Sequence, residues 1–151
     1  MSYATVQQLE DRLTAAVLNK RIVEEGDERK RVLDAYLDAA SSVVDAWLSA
    51  RYLLPAPQSP VLTMATLNIA LWQIEADRGA AAYAAGQQLP ANVQVPYDQA
   101  MKLLERLAKG DIALVGDDGA PAPTPGEAKA GLQVSAPPPA LGYGSPGMEA
   151  F

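Results

Sequence analysis

Apolar side chains recur at intervals of three and four residues in four separate stretches of the chain, and this spacing predicts four amphipathic helices. The first helix is expected to begin at Thr5, because Thr5 and Gln8 have the spacing of a capping box. An acidic loop ends at Asp27, which is the expected N-cap of a second helix from about Glu28 to Tyr52. The length of this second helix predicts an element on which other helices, or other subunits, pack.

Proline and glycine mark the ends of the remaining two helices. Ser59 is a favourable N-cap for a third helix from Pro60 to about Arg78, since proline is well tolerated at the first helical position. A fourth helix is predicted from about Pro96 to Lys109, and Gly110 has the position of a left-handed C-terminal residue. We therefore predict an all-α fold, a small bundle of about four helices.

The third predicted helix carries apolar side chains around nearly its whole circumference. A helix of this kind must be buried on all sides, and a core of three or four helices is expected to leave part of it uncovered. We interpret the uncovered part as a contact with a neighbouring copy, with the candidate interface residues Val61, Leu62, Met64, Leu67, Leu71 and Trp72. Arg51 and Tyr52 are further candidates. Arg51 is expected to pair with a carboxylate or to bind carbonyl groups at the helix end, and Tyr52 to pack under the Pro-rich link.

The composition of the chain changes after Gly110. Residues 111–151 hold seven of the twelve prolines and seven of the eleven glycines. Such a segment favours an extended, polyproline-like conformation and buries too little apolar surface to fold alone. We therefore predict a helical domain over residues 1–112 and an extended arm over residues 113–151. Its candidate partner-binding residues are Pro137, Pro138, Pro139, Tyr143 and Phe151; for the two aromatic residues, simple disorder is an equal alternative.

The chain contains no histidine and no cysteine. A Ser–His–Asp triad, thiol catalysis and zinc bound by His or Cys are therefore excluded for this chain alone. The formal net charge of −6 disfavours a nucleic-acid binder, which neutralises phosphates with clustered Lys and Arg. The longest apolar stretch is interrupted by polar residues and is shorter than the about 20 residues that span a membrane. We expect a protein that is not an enzyme, uses no cofactor and contacts no membrane.

Three clusters of polar or aromatic residues have both a functional and a structural interpretation. The acidic residues within 24–28 lack the alternating ligand spacing of a calcium loop, so a solvated loop is favoured. The basic run 29–31 lies among carboxylates that cancel much of its field, which favours a solvated face over a contact with DNA or an acidic partner. Trp47, Tyr52 and Trp72 fall on helical stripes, which favours packing in a core or interface over a ligand pocket.

Several short motifs resemble those of a known family. The motifs are Tyr3-Ala4-Thr5 at the start, Asp45-Ala46-Trp47-Leu48-x-x-Arg51-Tyr52-x-Leu54-Pro55 at the end of the second helix, and Tyr97-x-x-Ala100-x-x-Leu103-Leu104 before Lys109-Gly110. Over about residues 1–112, the chain resembles a family of small proteins encoded in the head gene cluster of Mu-like tailed phages. The chain departs from the family pattern in its short loop between the first two helices and in its long Pro-rich arm.

The resemblance implies a helical head–tail connector, or neck adaptor. Such proteins form a ring, commonly of about twelve copies, that binds the portal protein and meets the next neck or tail protein. Double-stranded DNA passes through without sequence-specific binding, and a C-terminal arm often grips the portal. The chain would then be assembled in the host cytoplasm and would lie in the neck of the virion, between capsid and tail.

Two other functions are alternatives to a connector. Another neck or tail-completion protein, such as a stopper or tail terminator, is usually β-rich and predicts a circular dichroism spectrum dominated by strands. A helical DNA-packaging or regulatory factor predicts salt-sensitive binding to DNA. The chain favours the connector, because it combines an over-apolar third helix and a partner-seeking arm with the absence of catalytic residue patterns.

Overall fold

The structure, a computed structural model, describes residues 2–16, 18–83 and 87–125. Within these ranges the chain forms four α-helices and no β-strand, so the predicted all-α class is confirmed. The helices are α1 (Val6–Ala15), α2 (Gly26–Leu48), α3 (Pro60–Arg78) and α4 (Ala91–Lys109), with short 3₁₀ helices at Asn19–Arg21 and Ala80–Ala82.

The predicted caps at three helix ends are confirmed. At the start of α1, the Thr5 hydroxyl accepts a hydrogen bond from the Gln8 N–H, and the Gln8 side chain accepts one from the Thr5 N–H. Ser59 caps α3, with Pro60 as its first residue. Gly110 ends α4 in the left-handed conformation, with φ of 83°. Local sequence therefore determines these helix ends, because a cap needs only groups within a few residues.

Three predicted helix bounds are wrong. Helix α2 begins at Gly26, so Asp27 lies in its first turn and is not its N-cap, and α2 ends at Leu48 rather than Tyr52. Helix α4 begins at Ala91, so Pro96 lies inside it. Proline removes one hydrogen bond from a helix interior. The earlier turn of α4 forms because Val93 is buried in the core, and this burial offsets the lost bond.

Helix α3 lies at the centre of the bundle. It packs against α1, α2 and α4, so three neighbours cover a helix that is apolar nearly all round. Its fully or almost fully buried residues are Leu62, Ala65, Thr66, Leu67, Asn68, Ile69, Ala70, Leu71, Ile74 and Glu75. One small core thus covers most of this helix, and the large apolar side chains of α3 that it leaves exposed are Val61 and Met64.

The chain that follows α4 packs onto the helical body. Leu114 and Ala122 are both buried. The Leu114 N–H donates to the Tyr52 hydroxyl at 3.0 Å, and the Leu53 N–H donates to the Pro123 carbonyl at 3.1 Å. These bonds join the segment to the link between α2 and α3, and they satisfy backbone groups that burial would otherwise leave without partners.

This packing bears on the predicted boundary between domain and arm. Residues 113–125 belong to the predicted arm of 113–151, yet the structure places them against the helices. Their position is decided by the buried Leu114 and by hydrogen bonds to distant backbone, neither of which a Pro/Gly composition reveals. The arm candidates Pro137, Pro138, Pro139, Tyr143 and Phe151 lie outside the described residues.

Candidate functional site

A buried carboxylate near the end of α3 is held by two partners. Glu75 is 1% exposed, and it accepts hydrogen bonds from Arg21 Nε at 2.6 Å, from Arg21 Nη2 at 3.2 Å and from the Tyr83 hydroxyl. Burial raises the pKa of Glu75, but the hydrogen bonds from Arg21 and Tyr83 and the Arg21 charge outweigh it, so that the pKa lies below its ordinary value. The carboxylate is therefore ionised at neutral pH and joins the loop before α2 to α3.

A second ion pair lies beside the first. Arg78 donates to both carboxylate oxygens of Glu24, at 2.9 Å and 3.3 Å, and also to the Arg21 carbonyl. The hydrogen bond from Arg78 holds the pKa of Glu24 below its ordinary value. Among the described residues, no group of three or more carboxylates could hold a metal ion. Glu24 thus attaches the acidic loop to Arg78 of α3.

Two of the motifs that carry the family resemblance, Tyr3-Ala4-Thr5 and the segment from Asp45 to Pro55, meet at one corner of the bundle. Tyr3 is buried, and its hydroxyl donates to Asp45 Oδ1 while it accepts a hydrogen bond from the Ala56 N–H at 3.2 Å. Burial, followed by the hydrogen bond to Asp45, raises the pKa of Tyr3 to about 12. One phenol therefore joins the start of the chain, the end of α2 and the link before α3.

The neighbouring Arg51 and Tyr52 join the same corner to α4. Tyr52 is buried, and its hydroxyl accepts the Leu114 N–H described above. The exposed Arg51 guanidinium lies 6.0 Å from the Tyr52 ring centre and against Gly110, where an added Cβ would be 2.7 Å from Arg51 Nη1. No carboxylate in the described part of the chain pairs with Arg51. Its charge lies instead at the C-terminal, partly negative end of α4.

The structure divides the predicted interface residues into two groups. Leu62, Leu67 and Leu71 are buried in the core of the chain itself, as is Tyr52, so a second chain cannot reach them in this structure. Trp72 is half-buried and stacks on Tyr97 of α4, with 4.3 Å between the ring centres. Val61 is 40% exposed and Met64 is 52% exposed. Of the apolar candidates on α3, Val61 and Met64 therefore remain most available to a partner.

Five of the seven large apolar side chains that are exposed in the described part of the chain lie on segments next to this corner. The large apolar residues exposed on the link, the first turns of α3 and the turn after α4 are Leu53, Leu54, Val61, Met64 and Val115, here called the link face. The three segments adjoin one another through backbone hydrogen bonds of Leu53 and Asp117. A groove of about 520 Å³ opens beside Met64 between α1, α3 and Asp117. Exposed apolar surface that is grouped in this way is typical of an interaction site.

Leu53, Leu54 and Val115 were not among the predicted interface residues. Leu53 and Leu54 lie in a Pro-rich link, and Val115 lies in the Gly-rich segment assigned to the arm. Neither segment has a periodic pattern that distinguishes a buried from an exposed side. The only signal in the sequence was the motif containing Leu54-Pro55, which resembles the phage family.

The comparisons with known proteins agree with this resemblance. The family model described as "Bacteriophage Mu, Gp36" matches residues 3–131, from Tyr3 past the turn after α4 and beyond the expected limit of about residue 112. The search of curated proteins found no match. In the part of the chain that the structure describes, no helix has both the length and the apolar character to cross a membrane. The chain belongs to the Bacteriophage Mu Gp36 family and is a protein of a Mu-like phage.

Proposed function

We propose that the chain is a subunit of the ring that joins the head of a Mu-like phage to its tail. Membership of the family assigns the chain to phage structure or morphogenesis. The finer assignment rests on the link face, whose exposed apolar residues lie on the link that carries the motif ending in Leu54-Pro55 and on the segments that adjoin it. In this proposal the protein acts without a cofactor and without catalysis, by holding the portal protein on one side and the next neck or tail protein on the other.

The shape and charge of the chain support this assignment over its alternatives. Stoppers and tail terminators are usually β-rich, whereas the described part of this chain is helical. A DNA-packaging factor needs clustered cations, whereas this chain has a net charge of −6. A negative surface repels phosphate, which suits a conduit through which DNA passes without being retained.

The test introduces a charge into the link face of the full-length protein. Val61→Asp combined with Met64→Asp places carboxylates in the exposed apolar group without entering the core. A phage that lacks its own copy of the gene is supplied with the variant, and particles are counted by electron microscopy. We expect filled heads and free tails that fail to join, because a desolvated carboxylate is costly in an interface.

The matched control is Val23→Asp. Val23 is 77% exposed and lies outside the link face, so the same substitution tests general effects of an added carboxylate. Far-UV circular dichroism should show that all variants fold. Joined particles in the absence of the gene would refute the connector function, and normal joining by the double variant would refute the role of the link face. Salt-sensitive DNA binding by the purified protein would instead favour a packaging factor.

A further inference from the structure

Helix α2 presents an unusual line of small residues to solvent. Ala35, Ala39, Ser42 and Ala46 are all exposed, and their spacing of four, three and four residues places them on one line along the helix. Exposed helix faces ordinarily carry long polar side chains. A line of small side chains permits another helix to approach closely.

The two sides of this line differ in character. Asp34 and Asp38 lie on one side, both exposed, and neither has an ion-pair partner within the described residues. The half-buried Val32 and Tyr36 lie on the other side. There they line a hollow of about 330 Å³, together with Ala35, Ala39 and Arg78. The line of Ala35, Ala39, Ser42 and Ala46, here called the outward face of α2, thus has unpaired negative charge on one side and apolar surface on the other.

Helix α4 carries a line of residues with the same spacing, here called the outward face of α4, but its side chains are larger and partly cationic. Val95, Gln99, Lys102 and Arg106 are all exposed and again follow one another at intervals of four, three and four residues. These side chains are large, and two of them are cations. Neither Lys102 nor Arg106 has a carboxylate partner in the described ranges.

We propose that the outward face of α2 in one copy binds the outward face of α4 in a second copy, with the two helices antiparallel. Because the spacing of four, three and four is the same in both directions, all four positions then align. Arg106 lies over Ala35 beside Asp34, and Lys102 lies over Ala39 beside Asp38.

The other two positions of the alignment are also complementary. Gln99 faces Ser42, which pairs a polar side chain with a hydroxyl. Val95, which is 49% exposed, faces Ala46 near the half-buried Trp47. Large side chains lie over small ones throughout, as in the packing of helix ridges into grooves. The paired lines extend over about 16 Å of helix.

Charge complementarity favours the α4 face of a second copy as the partner of the outward face of α2. An α2–α2 contact would place the unpaired aspartates near their own counterparts, and DNA would be repelled by them. A contact between two different faces of the same chain is heterologous, and repeated contacts of this kind generate a ring when the rotation between successive copies closes. The inference therefore rests on the proposed ring and specifies its subunit contact.

The test reverses the charges in the full-length protein and measures self-association by analytical ultracentrifugation at low salt. Asp34→Lys with Asp38→Lys, or Lys102→Glu with Arg106→Glu, should each weaken self-association about tenfold. An equimolar mixture of the two variants should regain it, since each supplies the face that the other now needs. All four substitutions in one chain should also restore it.

The control pair is Glu25→Lys with Asp27→Lys, which makes the same change in net charge as Asp34→Lys with Asp38→Lys but at the start of α2. This variant should associate as the unchanged protein does, and about 1 M salt should weaken both, since it shortens the Debye length to about 3 Å. A protein that is monomeric at every concentration tested, or a mixture that fails to recover association, would overturn the inference. Either result leaves the particle test of the connector function unaffected, because that test depends on the link face.

Discussion

The buried carboxylate of Glu75 is expected to be the most sensitive polar position in the fold. Glu75→Gln keeps the size of the side chain and removes its charge. Arg21, whose side chain is only 18% exposed, then loses its counter-charge, and the amide must replace an acceptor of three hydrogen bonds. Hydrogen bonds to charged groups contribute about 1.5–3 kcal/mol each, and breaking a buried ion pair costs about 3–5 kcal/mol.

Since the amide retains part of the hydrogen bonding, we expect the free energy of unfolding to fall by about 3 kcal/mol. The matched control is Glu24→Gln. Glu24 pairs with Arg78 at 2.9 Å, but both side chains are 26% exposed, so solvent screens the pair and the expected loss is clearly smaller than that of Glu75→Gln. Urea unfolding at about pH 7, followed by far-UV circular dichroism, measures both values.

The pH dependence of the free energy of unfolding gives a second test of the role of Glu75. The pKa of Glu75 in the folded protein lies below its ordinary value of 4.5, so its contribution is fully present above that value. The contribution is lost as pH falls through the depressed pKa. The stability difference between the unchanged protein and Glu75→Gln should therefore narrow in acid. A loss equal to that of Glu24→Gln, or a difference that does not change with pH, would refute the reasoning.

Three other perturbations test the remaining contacts. Tyr3→Phe removes the partner of the Ala56 N–H and should lower stability by about 1–3 kcal/mol in thermal unfolding. Because the pKa of Tyr3 is raised to about 12, its contribution is complete below pH 10 and is lost as pH rises through the folded value, a loss that Tyr3→Phe should not show. Gly110→Ala should cost about 1 kcal/mol from its positive φ, and a double-mutant cycle with Arg51→Ala should recover whatever part of the loss comes from the clash with Arg51; no recovery would contradict that contact. A chain ending at residue 112 should melt at a lower temperature than one ending at residue 125, since only the longer chain keeps the buried Leu114; equal melting temperatures would contradict the packing of residues 113–125.

The candidate site could be predicted only in part from the sequence. The motifs containing Tyr3, Arg51, Tyr52 and Leu54 marked the right corner, but their partners did not follow from them. Tyr3 and Asp45 are separated by 42 residues along the chain, and no local pattern shows that the two will meet. The link face includes Val115 because the turn after α4 folds back on the link, a contact between distant segments.

The helices themselves follow from local sequence, whereas burial depends on the whole bundle. Periodic apolar residues and the caps at Thr5, Ser59 and Gly110 act within one or two turns, so the all-α class and these three helix ends could be predicted. Periodicity cannot show how many neighbours a helix will have. Tertiary packing placed α3 at the centre of the bundle. It buried Leu62, Leu67 and Leu71 in the core of the chain and left Val61 and Met64 exposed. Tertiary packing also moved the start of α4 from the predicted Pro96 back to Ala91, because burying Val93 outweighs the one backbone hydrogen bond that Pro96 cannot donate.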